Sequence, residues 1–153
     1  MIAIISAMTK DNVIGKDGGL PWKIKEEMLH FMHTTLGNTV IMGRTSFDSL
    51  KKPLRDRNNI VLTSQDISMD GVDVVHDVES ALSKAKSYGK DIYVTGGSVV
   101  YRQFLPLVDT LIISYIKKFY SGDTYFPDFD ESEWEVEKKE EHDEFDIVWY
   151  TRK

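Results

Sequence analysis

"DIYVTGGSVVYRQFL", residues 91–105, passes from a strand-forming run through two glycines into a segment with helical spacing. Ile92, Tyr93 and Val94 favour a buried strand. Gly96 and Gly97 allow a sharp turn, and a helix opens at Ser98 and Val99. Such a strand-to-helix turn leaves backbone N–H groups free at the helix start, a seat suited to a diphosphate. The unit then recurs upstream. "TVIMGRTSFDSL", residues 39–50, runs a strand through Gly43 into Arg44, Thr45 and Ser46 at another helix start. "NNIVLTSQD", residues 58–66, ends a third strand at Leu62, Thr63 and Ser64. Three strand ends offering hydroxyls, N–H groups and an arginine suit an extended anionic ligand with several phosphates. Arg44 with Thr63 and Ser64 could hold an adenosine 2′-phosphate, which favours NADPH over NADH. Neither G-x-G-x-x-G nor G-x-x-x-x-G-K-[ST] occurs, so dinucleotide-fingerprint and P-loop motifs are not supported.

Working outward, apolar runs bounded by turn residues predict strands at about 2–8, 39–42, 59–63, 72–75, 91–95 and 109–116. Helical spacing covers about 24–36, 44–50, 78–87 and 98–105. The last 20 residues, "WEVEKKEEHDEFDIVWYTRK", alternate and turn near "HDE", an antiparallel hairpin. Strands and helices that alternate in this way predict an α/β fold. The expected form is a three-layer sandwich around a mostly parallel, eight-stranded mixed sheet with four helices and a C-terminal antiparallel hairpin. No repeat, low-complexity tract or linker divides the chain, so residues 1–153 are expected to form one domain.

Composition narrows the function classes. The chain has no cysteine, which excludes disulfides, thiolate metal sites and a cysteine nucleophile. "MIAIISAM" reads as a first buried strand, no run approaches membrane-spanning length, and a cytoplasmic location is expected. The net charge of −6 hides an asymmetry. Residues 123–146 hold 12 acids and 2 bases, whereas the remaining 129 residues hold 17 bases and 13 acids. No stripe of Lys and Arg alternates with stacking aromatics, so nucleic acid is not an expected partner. His30, His33, His76 and His142 show no H-E-x-x-H spacing; His30 and His33 read as surface residues, and no metal site is expected.

The chemistry lies in "VIGKDGGLPWKIKEEMLHF", residues 13–31. On a helix over 24–36, Ile24, Met28, Phe31 and Met32 form one stripe, broadened by Leu29 and Leu36. Glu27 lies at the edge of that stripe and Glu26 nearly opposite it. Both could be ordinary first-turn acids that favour the helix dipole. Alternatively, desolvation raises the pKa of Glu27, which then faces a cationic or amidine-like ligand. Gly15, Gly18 and Gly19 supply the backbone freedom of a mobile flap, and Pro21-Trp22 pins its end. Arg57, in "KKPLRDRNN", reads either as an exposed loop arginine or as a fork for a carboxylate.

Together these stretches, with "PLRDRNNIVLTS" and "GDTYFPDF", closely resemble the dihydrofolate reductase family, in its order and at nearly its spacing. The resemblance implies NADPH-dependent reduction of 7,8-dihydrofolate to tetrahydrofolate, a monomer, and binding of antifolates. Glu27 matches the family's active-site carboxylate, with Ser114 supporting it, Trp22 holding an ordered water and Leu20 in the flap over the nicotinamide. Ile5, Ser6, Ala7, Met28 and Thr95 correspond to the pterin pocket, and Phe31, Leu50 and Leu54 to walls around the p-aminobenzoyl ring. Arg57 corresponds to the tail-carboxylate site. For the cofactor, the matching positions are Ala7, Ile14, Gly15, Gly43 to Ser46, Leu62 to Ser64, Gly96, Gly97, Ser98, Val99, Val100, Tyr101 and Thr124. Asp123 is placed to pair with flap N–H groups near residues 16–18.

Departures from the family pattern are Thr95, where the family usually has an apolar residue, and a short hairpin "EKKEEHDEFDIVWY". Two other readings stand beside this one. An aminopyrimidine reductase of the riboflavin-pathway type would need polar and phosphate-binding residues where Phe31 and Arg57 stand. A silent nucleotide-binding module would have no need of Glu27 and Trp22.

Overall fold

The central strands are buried on both faces, so their alternate residues feed two separate cores. The computed structural model describes residues 1–153. In chain order the elements are β1 (Ile2–Thr9), β2 (Val13–Gly15), α1 (Lys25–Thr35), β3 (Thr39–Gly43), α2 (Arg44–Leu50), β4 (Asn58–Leu62), β5 (Asp73–Val75) and α3 (Val78–Ser87). There follow β6 (Ile92–Gly96), α4 (Ser98–Phe104), β7 (Thr110–Ile116), β8 (Thr124–Tyr125), a 3₁₀ turn at Glu131–Glu133, β9 (Trp134–Glu141) and β10 (Phe145–Arg152). The main sheet has the order β5-β4-β3-β6-β1-β7-β10-β9. Its first six strands are parallel, and β10 and β9 close it antiparallel. This is the expected α/β architecture.

One core holds Ile4, Ile41, Ile60, Leu62 and Val94 from the sheet under Ala81 and Ala85 of α3 and Val100, Tyr101 and Phe104 of α4. The other holds Ala3, Ile5, Val40, Met42, Val61 and Tyr93, covered by Ile24, Phe47 and Phe31. Handedness explains the division. Helices α1 and α2 carry the chain outward from β1 to β3 and β4, whereas α3 and α4 carry it back to β6 and β7. Right-handed crossovers in opposite directions must lie on opposite faces. The chain therefore reverses around β6 and β1, and ligand clefts in open α/β sheets form at the carboxyl ends of strands at such a point.

Two short elements were not legible as periodic runs. β2 and β8 form a separate two-stranded sheet. Beyond β2, Lys16 and Gly19 exchange backbone hydrogen bonds of 2.8 and 3.0 Å. Asp17 (φ 51°) and Gly18 (φ 82°) form the tip between them. Positive φ at both central residues is what a tight Asp-Gly hairpin turn requires.

Three expectations about α1 need correction. The helix starts at Lys25, with Ile24 extended before it. Leu29 and Leu36 do not broaden the buried stripe; both are exposed, because no element covers that flank. His30 is not a surface residue. It is half-buried edge-on against Trp149 of β10, with ring centroids 5.9 Å apart, because the terminal hairpin folds over this side of the helix. That hairpin leaves β9 as a free edge whose residues Glu135 to Lys139 are all exposed.

Candidate active site

A cleft of about 940 Å³ opens at the carboxyl ends of β1, β3, β4 and β6. That is at the upper end of the range for small-ligand sites, room for two ligands side by side. Of the residues assigned from the sequence to the carboxylate, substrate and cofactor sites, all but Arg57 and Ser114 line it. They divide by chemistry into an apolar end under α1 and a polar trough along the starts of α2 and α4.

Ile5, Ala7, Met28, Phe31, Leu50 and Leu54 wall the apolar end. Glu27 projects there from the first turn of α1 and is 8% exposed, while Glu26 beside it lies open to solvent. The register of the helix on the sheet selects between the two acids. Burial raises the Glu27 pKa above its ordinary value, and Ser114 of β7 offsets part of that. Ser114 Oγ nonetheless makes no hydrogen bond of good geometry and remains a buried hydroxyl without a partner. Trp22 Nε1 is likewise buried and unpartnered, its ring held edge-on to Tyr120 at 5.8 Å. A buried donor, a buried hydroxyl and a desolvated carboxylate around one apolar pocket call for a flat polar heterocycle or its water. Thr95 Oγ1 donates to Ile41 O at a long 3.5 Å, so the polarity of this wall is only weakly absorbed by the protein.

The trough is floored by backbone. A Cβ on Gly43 would come within 3.0 Å of Val100 Cγ2, and one on Gly96 (φ 136°) within 3.0 Å of Ser46 Oγ. Gly43 thus packs closely against Val100 of α4 and Gly96 against Ser46 of α2, and the positive φ of Gly96 favours glycine there. Helices α2 and α4 start at Gly43 and Gly97 without side-chain caps, leaving N–H groups toward the trough. Tyr101, fully buried, donates to Ile5 O at 2.9 Å and ties α4 to β1 between the two halves of the cleft. At the far end stand Arg44, Thr63 and Ser64. Arg44 is held by Asp48 Oδ1 at 2.9 Å and Gln65 Oε1 at 2.8 Å. A dinucleotide with an extra phosphate fits these residues.

The flap reaches over the cleft through Gly18, Gly19 and Leu20. Leu20 is 60% exposed, an apolar side chain offered to the cleft. Asp17 N donates to Asp123 Oδ2 at 3.0 Å, and Asp123 N to Gly15 O at 3.0 Å, so the flap is held at its base by the loop before β8. Here the sequence reading passed over Gly122. A Cβ there would lie 2.4 Å from both Gly15 O and Val13 Cγ1.

Arg57 stands behind the wall, not in it. Its Nε donates to Thr35 Oγ1 at 3.1 Å, and its terminal nitrogens donate to the carbonyls of Arg55 and Met32. These contacts fix the guanidinium at the last turn of α1, beside the cleft residue Met32. Ser49, His76 and Gln103 also line the cleft and were missed, because no motif marks them.

The model of the family described as dihydrofolate reductase matches residues 1–151. The chain is 38% identical to the dihydrofolate reductase of Haemophilus influenzae, over 88% of this chain and 84% of that protein. It is 37% identical to the Bacillus subtilis enzyme of the same name, over 92% and 84%. With dihydrofolate reductase HdrB of Haloferax volcanii the identity is 34%, over 98% and 82%. The fold superposes with a TM-score of 0.93 on a dihydrofolate reductase from Enterococcus faecalis complexed with NADP(H) and RAB-propyl, at 37% identity over 99% of this chain and 96% of that one.

Proposed function

Because the chain belongs to the dihydrofolate reductase family, we propose that it reduces 7,8-dihydrofolate to 5,6,7,8-tetrahydrofolate with NADPH, supplying one-carbon metabolism from one domain. The observation that carries this reading is Glu27, a desolvated carboxylate alone among apolar walls at one end of a two-ligand cleft.

Glu27 accepts hydrogen bonds from the 2-amino group and N3 of the pterin, fixing its face toward the trough. Phe31, Leu50 and Leu54 sandwich the p-aminobenzoyl ring, and Arg57 pairs with the tail carboxylate at the end of α1. The bound nicotinamide supplies the hydride to C6. The protein's share is alignment by the floor at Ala7 and Thr95, exclusion of bulk water by Leu20 and the flap, and the proton at N5. No other acid stands at the apolar end, so Glu27 favours the N5-protonated substrate electrostatically. A water held near Trp22 delivers that proton. The stoichiometry is one hydride and one proton per dihydrofolate.

NADPH oxidation followed by absorbance, with dihydrofolate and with or without methotrexate, tests the reading. Turnover blocked by the inhibitor is the expected result. NADPH binding without turnover would make the chain a silent module, and turnover only of a ribosylated aminopyrimidine would make it the other reductase.

A further inference from the structure

Trp22 poses a problem of orientation. It is 5% exposed and lines the apolar end of the cleft, yet its Nε1 bonds to no protein group. No hydrogen bond aims this ring, so packing must. Its core includes Ile5, Ile24, Ile112 and Ile116, aliphatic side chains that fill space with little preference for one ring tilt. The neighbour with a directional preference is Tyr120. The two ring centroids lie 5.8 Å apart with their planes at 63°, the edge arrangement that aromatic pairs favour.

Tyr120 is well held in turn. It is half-buried at the midpoint of residues 117–123, the loop between β7 and β8, and stands behind Trp22, outside the cleft lining. Lys118 Nζ sits over its ring, 5.6 Å from the centroid and within cation–π reach. At one end of the loop Lys117 N donates to Glu144 O at 3.0 Å. Lys117 Nζ donates to His142 O at 2.6 Å and lies 3.4 Å from Asp146. At the other end Asp123 accepts from Asp17 N and donates to Gly15 O. The loop is thus pinned to the terminal hairpin and to the flap, and the ring between the two anchors rests on Trp22.

We propose that Tyr120 is a positioning residue for the proton step: by fixing the tilt of Trp22 it keeps Nε1 aimed at the water that protonates N5. This rests on the reductase reading given above. An indole N–H can only donate, so a water held by it keeps its own hydrogens free for the pterin. That water passes one proton to N5 and regains one from solvent, so nothing is consumed beyond the hydride and proton already counted. The ring of Tyr120 does this work and not its hydroxyl, since the ring makes both contacts.

Two substitutions separate ring from bulk. Tyr120→Leu keeps an apolar side chain and removes the ring, and Tyr120→Phe keeps the ring and removes the hydroxyl. Stopped-flow hydride transfer from NADPH to dihydrofolate gives one readout. The indole N–H spectrum of the whole protein gives the other, with the Trp22 signal identified among three tryptophans by its loss in Trp22→Phe. In Tyr120→Leu the hydride-transfer rate at saturation should fall about three- to tenfold, the scale of one aromatic pair. The KM for dihydrofolate and the affinity for NADPH should hold, and the Trp22 signal should shift and broaden. Tyr120→Phe should return rate and signal to the wild-type values. A raised KM with an undisturbed Trp22 signal would make Tyr120 a strut of the loop and overturn the inference. A displaced signal with an unchanged hydride-transfer rate would overturn it as well, and the reductase reading would stand in both cases. A wild type that turned over no dihydrofolate would overturn both, and that failure shows before any substitution is made.

Discussion

Glu27 and Glu26 are neighbours with opposite fates, and the difference has a thermodynamic consequence. Burial raises the Glu27 pKa, so the folded chain holds that proton more tightly than the unfolded chain does. Its favourable contribution is complete below the unfolded value of about 4.3 and is lost as pH rises through the folded value. At neutral pH the ligand-free protein therefore carries a destabilising charge. Glu27→Gln should melt higher than the wild type at pH 7.5, with little difference at pH 4. The same variant should lose about 10²–10⁴-fold in kcat/KM with dihydrofolate at neutral pH, the usual scale for a positioned acid–base group. Thermal melts and steady-state rates check the two arms. Full hydride-transfer rate in the variant would remove Glu27 from the mechanism. The choice between the two glutamates was legible from sequence because helical periodicity alone separates the faces of α1.

At the scale of elements, contact between distant segments decides matters that local patterns do not reveal. Strands β1, β3, β4, β6 and β7 read clearly because each is a buried apolar run. The strands β2 and β8 have three and two residues, too few to show a period, although the Asp17-Gly18 pair is itself a hairpin signal. Gly122 could not be singled out because the atoms it must clear, on Val13 and Gly15, are over 100 residues away in sequence. Gly122→Ala should push the loop off β2, costing about 1–3 kcal/mol by overpacking. It should also slow turnover by loosening the Asp123–Asp17 anchor of the flap. Urea denaturation and NADPH oxidation report the two effects, and an unchanged rate would show that the flap needs no such anchor.

His30 belongs to the same scale. Its ring sits between α1 and the hairpin, with Nδ1 3.4 Å from Thr34 Oγ1 and Nε2 buried without a partner. Burial lowers its pKa, Glu140 opposes this, and His142 adds to it. His142 itself lies 3.6 Å from Glu26 and 3.3 Å from Glu140, stacked on Phe145. A lowered histidine stabilises fully above its unfolded value of about 6.5, and the stability is lost as pH falls through the folded value. Urea midpoints should therefore drop between pH 7.5 and 5.5 by more in the wild type than in His30→Leu. Equal drops would mean the hairpin tolerates the charged ring. The polar spacing of α1 concealed this residue, since only the hairpin's return makes that flank an interior.

For the whole molecule, the sheet's reversal around β6 and β1 places two chemically distinct half-sites side by side, one under α1 and one along the starts of α2 and α4, joined at Tyr101. A ligand that spans the trough bridges β3, β4 and β6, so binding should register as global stability. NADPH at 100 times its Kd should add about 2.7 kcal/mol and raise the melting temperature by roughly 5–10 °C. Differential scanning calorimetry would show it, and no shift at saturating cofactor would contradict the assigned trough. No helix is long and apolar enough to cross a membrane.

The outermost strand of the main sheet ends in open water, with unpaired backbone groups that could template another chain. Lys138 and Lys139, paired with Glu140 and Glu141, stud that margin with charge of both signs amid a surplus of acid. Two molecules aligning there would crowd like charges and strip water from them. A margin so charged disfavours edge-to-edge pairing with a second sheet, and it lies away from the apolar cleft.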